Sequence, residues 1–205
     1  MTNIIEYGEN WIINSVLPND ILNNLENEIN SNLDNFLSDK NNYTCKGNTK
    51  QYWLEKQGQE YPQSDALKEA IDGYSSFISD LCIESDLFDH AFLNHLKSFG
   101  IWTVRGEEGS FHKLHNHSAK SSVLGLSTVA YLNVPETNDH SLPNNNVYFV
   151  MNGGSKNVFS TRGNDVYEVS PINGQVFIFP NWLLHGTYPQ SDGLRQTFNI
   201  DYSAI

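Results

Sequence analysis

The sequence predicts an α+β protein in which helices pack against the outside of a β-sandwich or barrel. Two stretches in the first half, residues 21–37 and 67–81, place apolar side chains at steps of three and four, the period of a helix with one buried face. From about residue 96 the pattern changes to alternation and to short apolar runs bounded by turn residues, the mark of strands. No repeat or linker divides the 205 residues. The expectation is a single domain over 1–205, with 1–95 mainly helical support and loops and 96–205 the β core.

Taken in order, Ile4, Tyr7, Trp11 and Ile13 read as one short strand within residues 1–16. Pro18-Asn19-Asp20 is a helix start, since proline is tolerated there and Asn or Asp can cap. Ile21, Leu22, Leu25, Ile29, Leu33, Phe36 and Leu37 then mark an amphipathic helix of about five turns. Residues 39–63 are polar, with an apolar island at Tyr52-Trp53-Leu54, and read as a loop with one short strand. Ser64 or Asp65 can cap a second helix, whose stripe of Leu67, Ala70, Ile71, Tyr74, Phe77, Ile78 and Leu81 is core. Strands follow at 99–104, 123–134, 147–151, 166–169, 175–179, 183–188 and 195–202, with turns at 144–146 and 152–154. Pro180 argues for a break between two of them, because it cannot donate a ladder hydrogen bond.

The net charge of −12 opposes binding to a phosphate backbone, so no nucleic-acid partner is expected. No run of Lys and Arg offsets it. The two cysteines, Cys45 and Cys82, lack a metal-type spacing and read as reduced thiols. The N-terminus has no basic region or apolar run of signal length, and no stretch approaches the roughly 18–20 apolar residues that span a bilayer. A cytoplasmic protein without membrane contact is expected.

The chemistry concentrates in two segments. In the first, GSFHKLHNHS, three histidines fall within six residues: His112, His115 and His117. On an extended strand His115 and His117 point to the same side and can reach one ion at roughly 2.0–2.2 Å. His112 faces the other way and ranks below them, as a bystander or supporting residue. In the second, GQVFIFPNWLLHGTYP…GLRQTFNI, an apolar run and a proline lead to His185, the candidate third ligand. Arg195 opens the next strand ten residues later. A guanidinium there would be suited to bidentate capture of a carboxylate.

Together these segments, with Tyr131-Leu132-Asn133 sixteen residues after His115, resemble the iron(II)- and 2-oxoglutarate-dependent oxygenases, in particular their prolyl-hydroxylase-like and "putative 2-oxoglutarate oxygenase" branches. The likeness spans roughly residues 97–202. It implies a double-stranded β-helix, or jelly roll, with Fe(II) and 2-oxoglutarate as co-substrate. The activity implied is hydroxylation of a C–H bond of an unidentified substrate, with release of succinate and CO2. Carried over residue by residue, His115 is the first ligand and His185 the distal one, Arg195 pairs with the far carboxylate of 2-oxoglutarate, and Tyr131 can hydrogen-bond the same carboxylate. No catalytic residue beyond the metal ligands is implied. The sequence departs from the family at His117, where a carboxylate is usual; Glu107, Glu108 and His112 are the alternatives for that position.

A second resemblance is to the cupins, which share the fold. Gly109…His115-Asn116-His117 and Gly174, Pro180, His185 fit the cupin spacings, but Ser121 and Ser122 stand where a glutamate is expected and Trp182 where a glycine is. That reading gives a three-histidine dioxygenase, isomerase or binding protein with no use for 2-oxoglutarate. A sugar-binding jelly roll is a third, and it leaves the histidines unexplained. Under the first reading the partner is a small-molecule or protein-side-chain substrate, and strand edges of such a fold can pair into a homodimer.

Overall fold

The computed structural model describes residues 2–39, 42–88, 90–117, 125–136, 145–151, 166–191 and 193–204. The chain opens with a hairpin of β1 (Asn3–Tyr7) and β2 (Asn10–Val16), then α1 (Asn19–Asn32), a 3-10 turn (Leu33–Asn35), β3 (Leu37–Asp39), β4 (Cys45–Lys46), β5 (Lys50–Lys56) and β6 (Gln59–Glu60). Helices α2 (Asp65–Glu84) and α3 (His90–Asn94) precede β7 (Leu96–Gly106), β8 (Phe111–His112), β9 (Gly125–Asn133), β10 (Val147–Val150), β11 (Val166–Val169), β12 (Gln175–Pro180), β13 (His185–Thr187) and β14 (Arg195–Ala204). The large sheet runs β1-β2-β12-β9-β14-β7-β5-β3, with β6 on β5. A three-stranded sheet, β11-β10-β13, and a small ladder of β4 with β8 complete the set. This is the expected α+β jelly roll, antiparallel throughout its named pairs.

Alternation along the strands builds two cores on the two faces of the large sheet. One face, with Ile13, Leu54, Ile101, Ala130, Val176, Ile178, Phe198 and Ile200, packs on Leu25 and Ile29 of α1 and Leu67, Tyr74 and Ile78 of α2. The opposite face sends Ile12, Tyr131, Phe177 and Phe179 toward Val147 and Phe149 of the small sheet. Strand β12 is buried along its whole length, and a strand covered on both sides carries apolar residues in succession rather than in alternation.

The same physics corrects the reading of residues 1–95, whose described residues supply six strands besides the helices. Ile12 and Ile13 are both fully buried, one in each core, so β2 is covered on both faces and lacks the clean alternation of a surface strand. Its partner, β12, lies some 160 residues away (Val16 pairs with Gln175), beyond the reach of a local pattern. The island at 52–54 is part of β5, which pairs with β7 inside the sheet. Helix α1 is shorter than the apolar spacing predicts: it ends at Asn32, whose Nδ2 donates to the Glu28 carbonyl, and Leu37 passes into β3. Pro18 occupies its N-cap without a side-chain bond, whereas Ser64 caps α2 by accepting from the Leu67 N–H. Pro180 ends β12, and the chain turns there with the Leu183 N–H donating to its carbonyl. The turn at 152–154 and Asn144 lie outside the described residues.

Cys45 and Cys82 are free thiols. Among the described residues no helix is long and apolar enough to cross a membrane.

Phe198 joins the helix layer to the centre of the large sheet. It is fully buried and meets Tyr74 edge to face, ring centroids 5.2 Å apart. Phe198→Ala is expected to cost about 3–5 kcal/mol, the range for emptying an aromatic site that cannot collapse. Urea unfolding checks this; a loss below about 1 kcal/mol would mean that the two layers close over the gap.

Candidate metal centre

The site is assembled by backbone pairing before any side chain acts. His115 and His185 exchange both backbone hydrogen bonds at 2.9 Å, an isolated antiparallel bridge, and the His117 N–H donates to the Asn181 carbonyl at 2.8 Å. These bonds lay the histidine segment along β13 and the turn before it. The imidazoles of His115, His117 and His185 therefore converge, with ring centroids 4.4–5.1 Å apart and one nitrogen from each within 4.8 Å of the others.

The ring orientations follow from what each Nδ1 touches. His115 Nδ1 donates to the Lys113 carbonyl at 2.7 Å and His185 Nδ1 to the Leu183 carbonyl at 2.9 Å, each reaching the carbonyl two residues back. His117 Nδ1 lies 2.8 Å from Asp201 Oδ1. With each Nδ1–H spent outward, each Nε2 is left with a lone pair facing inward. His115 and His117 hold these nitrogens 3.2 Å apart. Two imidazoles bound to one ion at roughly 2.0–2.1 Å would be about 2.9–3.4 Å apart, so the pair has the spacing of metal ligands. Burial, then the neighbouring His117, lowers the His115 pKa to about 4 and takes His185 well below the ordinary histidine range. Both are neutral near pH 7, the form a metal needs.

His112 lies in the same cavity but outside this trio. Its Nε2 is 3.1 Å from Cys45 Sγ across the β4–β8 ladder, and burial lowers its pKa to about 3. Glu107 and Glu108 are exposed in the turn before β8 and do not line the cavity.

The cavity, about 220 Å³, runs from the histidines to Arg195. Strand β14 lines it with every second residue: Arg195, Thr197, Asn199 and Asp201. Arg195 is 5% exposed; Nη2 donates to Thr187 Oγ1 at 3.2 Å, and Nη1 has no hydrogen-bond partner among the described residues. A buried guanidinium nitrogen left without an acceptor is costly, and a carboxylate entering the cavity would satisfy it. Tyr131 is buried in the same wall, its hydroxyl pKa raised to about 12 by burial against the opposing pull of Arg195. The residues present thus suit both a divalent ion and a dicarboxylate.

The sequence reading missed Asp201 and Ser127. Asp201 Oδ1 also accepts from Ser127 Oγ at 2.7 Å. Period-two counting from Arg195 reaches Asp201 on the cavity side. Ser127 carries no such signal, because its place depends on pairing between β9 and β14.

A jelly roll with imidazoles and an arginine in one cavity defines a class: metal-dependent enzymes that take a small anionic co-substrate. Residues 100–201 match the family model described as "Putative 2OG-Fe(II) oxygenase". The chain belongs to the iron(II)- and 2-oxoglutarate-dependent oxygenases, the first of the readings of the histidine pattern. It is an enzyme of that family, with Fe(II) as cofactor and 2-oxoglutarate as co-substrate. A comparison with curated proteins found no match. Among solved structures, a Pseudomonas putida prolyl-4-hydroxylase superposes with a TM-score of 0.62 at 16% identity, covering 94% of this chain and 91% of its own. A Trichoplax adhaerens prolyl hydroxylase, in complex with a hypoxia inducible factor oxygen degradation domain peptide fragment, gives 0.63 at 16% identity, covering 94% and 82%. HygX from Streptomyces hygroscopicus, with nickel and 2-oxoglutarate bound, gives 0.57 at 14% identity, covering 93% and 82%. These likenesses establish the fold.

Gly125 sits where β9 meets β14 beside the site. A Cβ there would stand 2.5 Å from the Tyr202 carbonyl oxygen and 2.5 Å from Asn181 Nδ2. The Asn181 N–H donates to the Gly125 carbonyl, and the Asn181 carbonyl accepts from His117. Gly125→Ala is expected to destabilise the protein by about 1–3 kcal/mol, since one obstacle is backbone. Thermal unfolding tests it, and an unchanged midpoint would show that the strands separate there at no cost.

Proposed function

We propose that His115, His117 and His185 hold Fe(II) through their Nε2 atoms, and that Arg195, assisted by Tyr131, grips the far carboxylate of 2-oxoglutarate. The observation that carries this reading is the orientation of the rings: three Nδ1–H groups turned outward leave three lone pairs facing one point, in the cavity where Arg195 Nη1 lacks an acceptor among the described residues. Fe(II), when bound, would supply the reaction of O2 with 2-oxoglutarate, in which CO2 is lost, one oxygen atom enters succinate and the other becomes the hydroxyl formed at a substrate C–H bond.

The chain's own residues bind, orient and shield. Thr187 holds one arm of the Arg195 guanidinium, which leaves the other for the carboxylate. Charge-assisted bonds of this kind are strong where water is excluded. Tyr131 stays protonated and so remains a donor toward the same carboxylate. Phe179 and Trp102 flank the histidines, with the Trp102 ring meeting His117 edge-on at 5.4 Å, and keep water from the reacting centre. No further catalytic group is required beyond the metal ligands.

The substrate is a small molecule or a protein side chain. Support for both comes from proteins of like fold: the Trichoplax enzyme holds a peptide fragment, and HygX is seen with hygromycin B. Here the cavity is also lined by Asn42, Thr44, Gln51 and Trp53, which suits a neutral polar group.

Under anaerobic conditions, Fe(II) followed by 2-oxoglutarate is expected to give the weak visible charge-transfer band of the chelate. His185→Ala should abolish metal binding. Arg195→Ala should spare the metal and weaken 2-oxoglutarate at least about 30-fold, corresponding to about 2 kcal/mol for a buried charged partner. Absence of the band in the wild type, or normal binding of both ligands by both variants, would overturn the assignment.

A further inference from the structure

We propose that Asp201 is the positioning residue that makes His117 a metal ligand, standing one hydrogen bond behind it as the anion that an all-histidine face lacks. The proposal rests on the ligand set above and concerns how one member of it is held. His115 and His185 are each oriented by a carbonyl two residues back on their own segment. His117 instead reaches across to β14, 84 residues on in sequence, and donates its Nδ1–H to a carboxylate.

Two features aim that carboxylate and a third shields it. Asp201 pairs directly with Ser127 across β9 and β14, and the Ser127 hydroxyl donates to the same Oδ1 at 2.7 Å. The register between β14 and β7 shifts immediately after Asp201, and such irregularities re-aim side chains beside sites. The pair is largely shielded, with side-chain exposures of 13% for His117 and 17% for Asp201, so it is screened less than a surface ion pair.

The consequence is chemical. A carboxylate accepting from Nδ1–H fixes the tautomer, orients the ring and raises the basicity of Nε2 more than a neutral carbonyl does. Asp201 itself is not placed as a ligand: its Oδ1 is engaged with His117 and Ser127, and it falls outside the group of converging ligand atoms. Asp201 thus brings a carboxylate to this face one hydrogen bond behind His117, with a smaller share of its charge reaching the metal than coordination would give.

The test is a double-mutant cycle on Co(II) affinity, measured anaerobically by chelator competition on the whole protein. Wild type, Asp201→Asn, His117→Ala, the double variant and His185→Ala are compared. Asparagine keeps the shape and can still accept a hydrogen bond, so the fold should persist while the charge is lost. Asp201→Asn is expected to weaken Co(II) about 10–100-fold and, in the His117→Ala background, by less than about 2-fold, because Asp201 then has nothing to position. An undiminished affinity in Asp201→Asn, or an equal loss in both backgrounds, would overturn the proposal, the latter pointing to a structural role or direct coordination. If His185→Ala binds Co(II) as tightly as the wild type, the ligand set itself is wrong, whatever Asp201→Asn does.

Discussion

The site depends on one backbone event, the exchange of two hydrogen bonds between His115 and His185. Neither residue has much regular structure beside it: His115 lies three residues past the two-residue β8, outside any strand, and His185 opens the three-residue β13. Pairing them satisfies backbone groups that would otherwise be buried without partners and fixes the histidines against each other in the same step. The ring orientations follow, because each of these two imidazoles can reach the carbonyl two residues back in its own extended segment. The geometry of the centre is thus a product of main-chain pairing, which small changes of side chain do not easily undo.

That pairing lies against the large sheet, where the Phe179 ring meets His185. Strand β12, buried along its length, sits between β2 and β9 and presents Phe177 and Phe179 to the small sheet while Val176 and Ile178 face the helices. The helices serve the site at one remove: they cover the far face of the sheet whose near face is the cavity wall. The amphipathic stripes that make α1 and α2 legible are the same residues that do this covering.

The legible part of the protein was the part in which function imposes a local pattern. His115 and His117 share a side because strands alternate, and Arg195 begins a strand whose next three alternate residues, Thr197, Asn199 and Asp201, reach the cavity. The helices were legible through their apolar period. Two kinds of feature were not. Strands buried on both faces, such as β2 with Ile12 and Ile13, lose the alternation that marks a surface strand. Residues that act through long-range pairing, such as Ser127 and Asp201, depend on a register between β9 and β14 that no local stretch encodes. The ladder of β4 and β8, two residues on each side, joins segments some 65 residues apart and was equally silent.

Strand β14 ties the two ends of the chemistry together. Arg195 and Asp201 lie on one face of it, six residues apart, so the proposed co-substrate clamp and the carboxylate behind His117 sit on a single strand at a separation of roughly 20 Å between backbone positions. On the proposed ligand set, three neutral imidazoles leave the full charge of a divalent ion in place, which strengthens its attraction for an anionic co-substrate. A coordinated carboxylate would cancel half of that charge. Asp201, one hydrogen bond away, offsets it less at the open coordination positions than a ligand would, because the interaction falls with distance and Arg195 stands at the other end of the same strand. On that proposed set the arrangement would keep the metal strongly attractive to 2-oxoglutarate while Asp201 holds the orientation of the His117 ring.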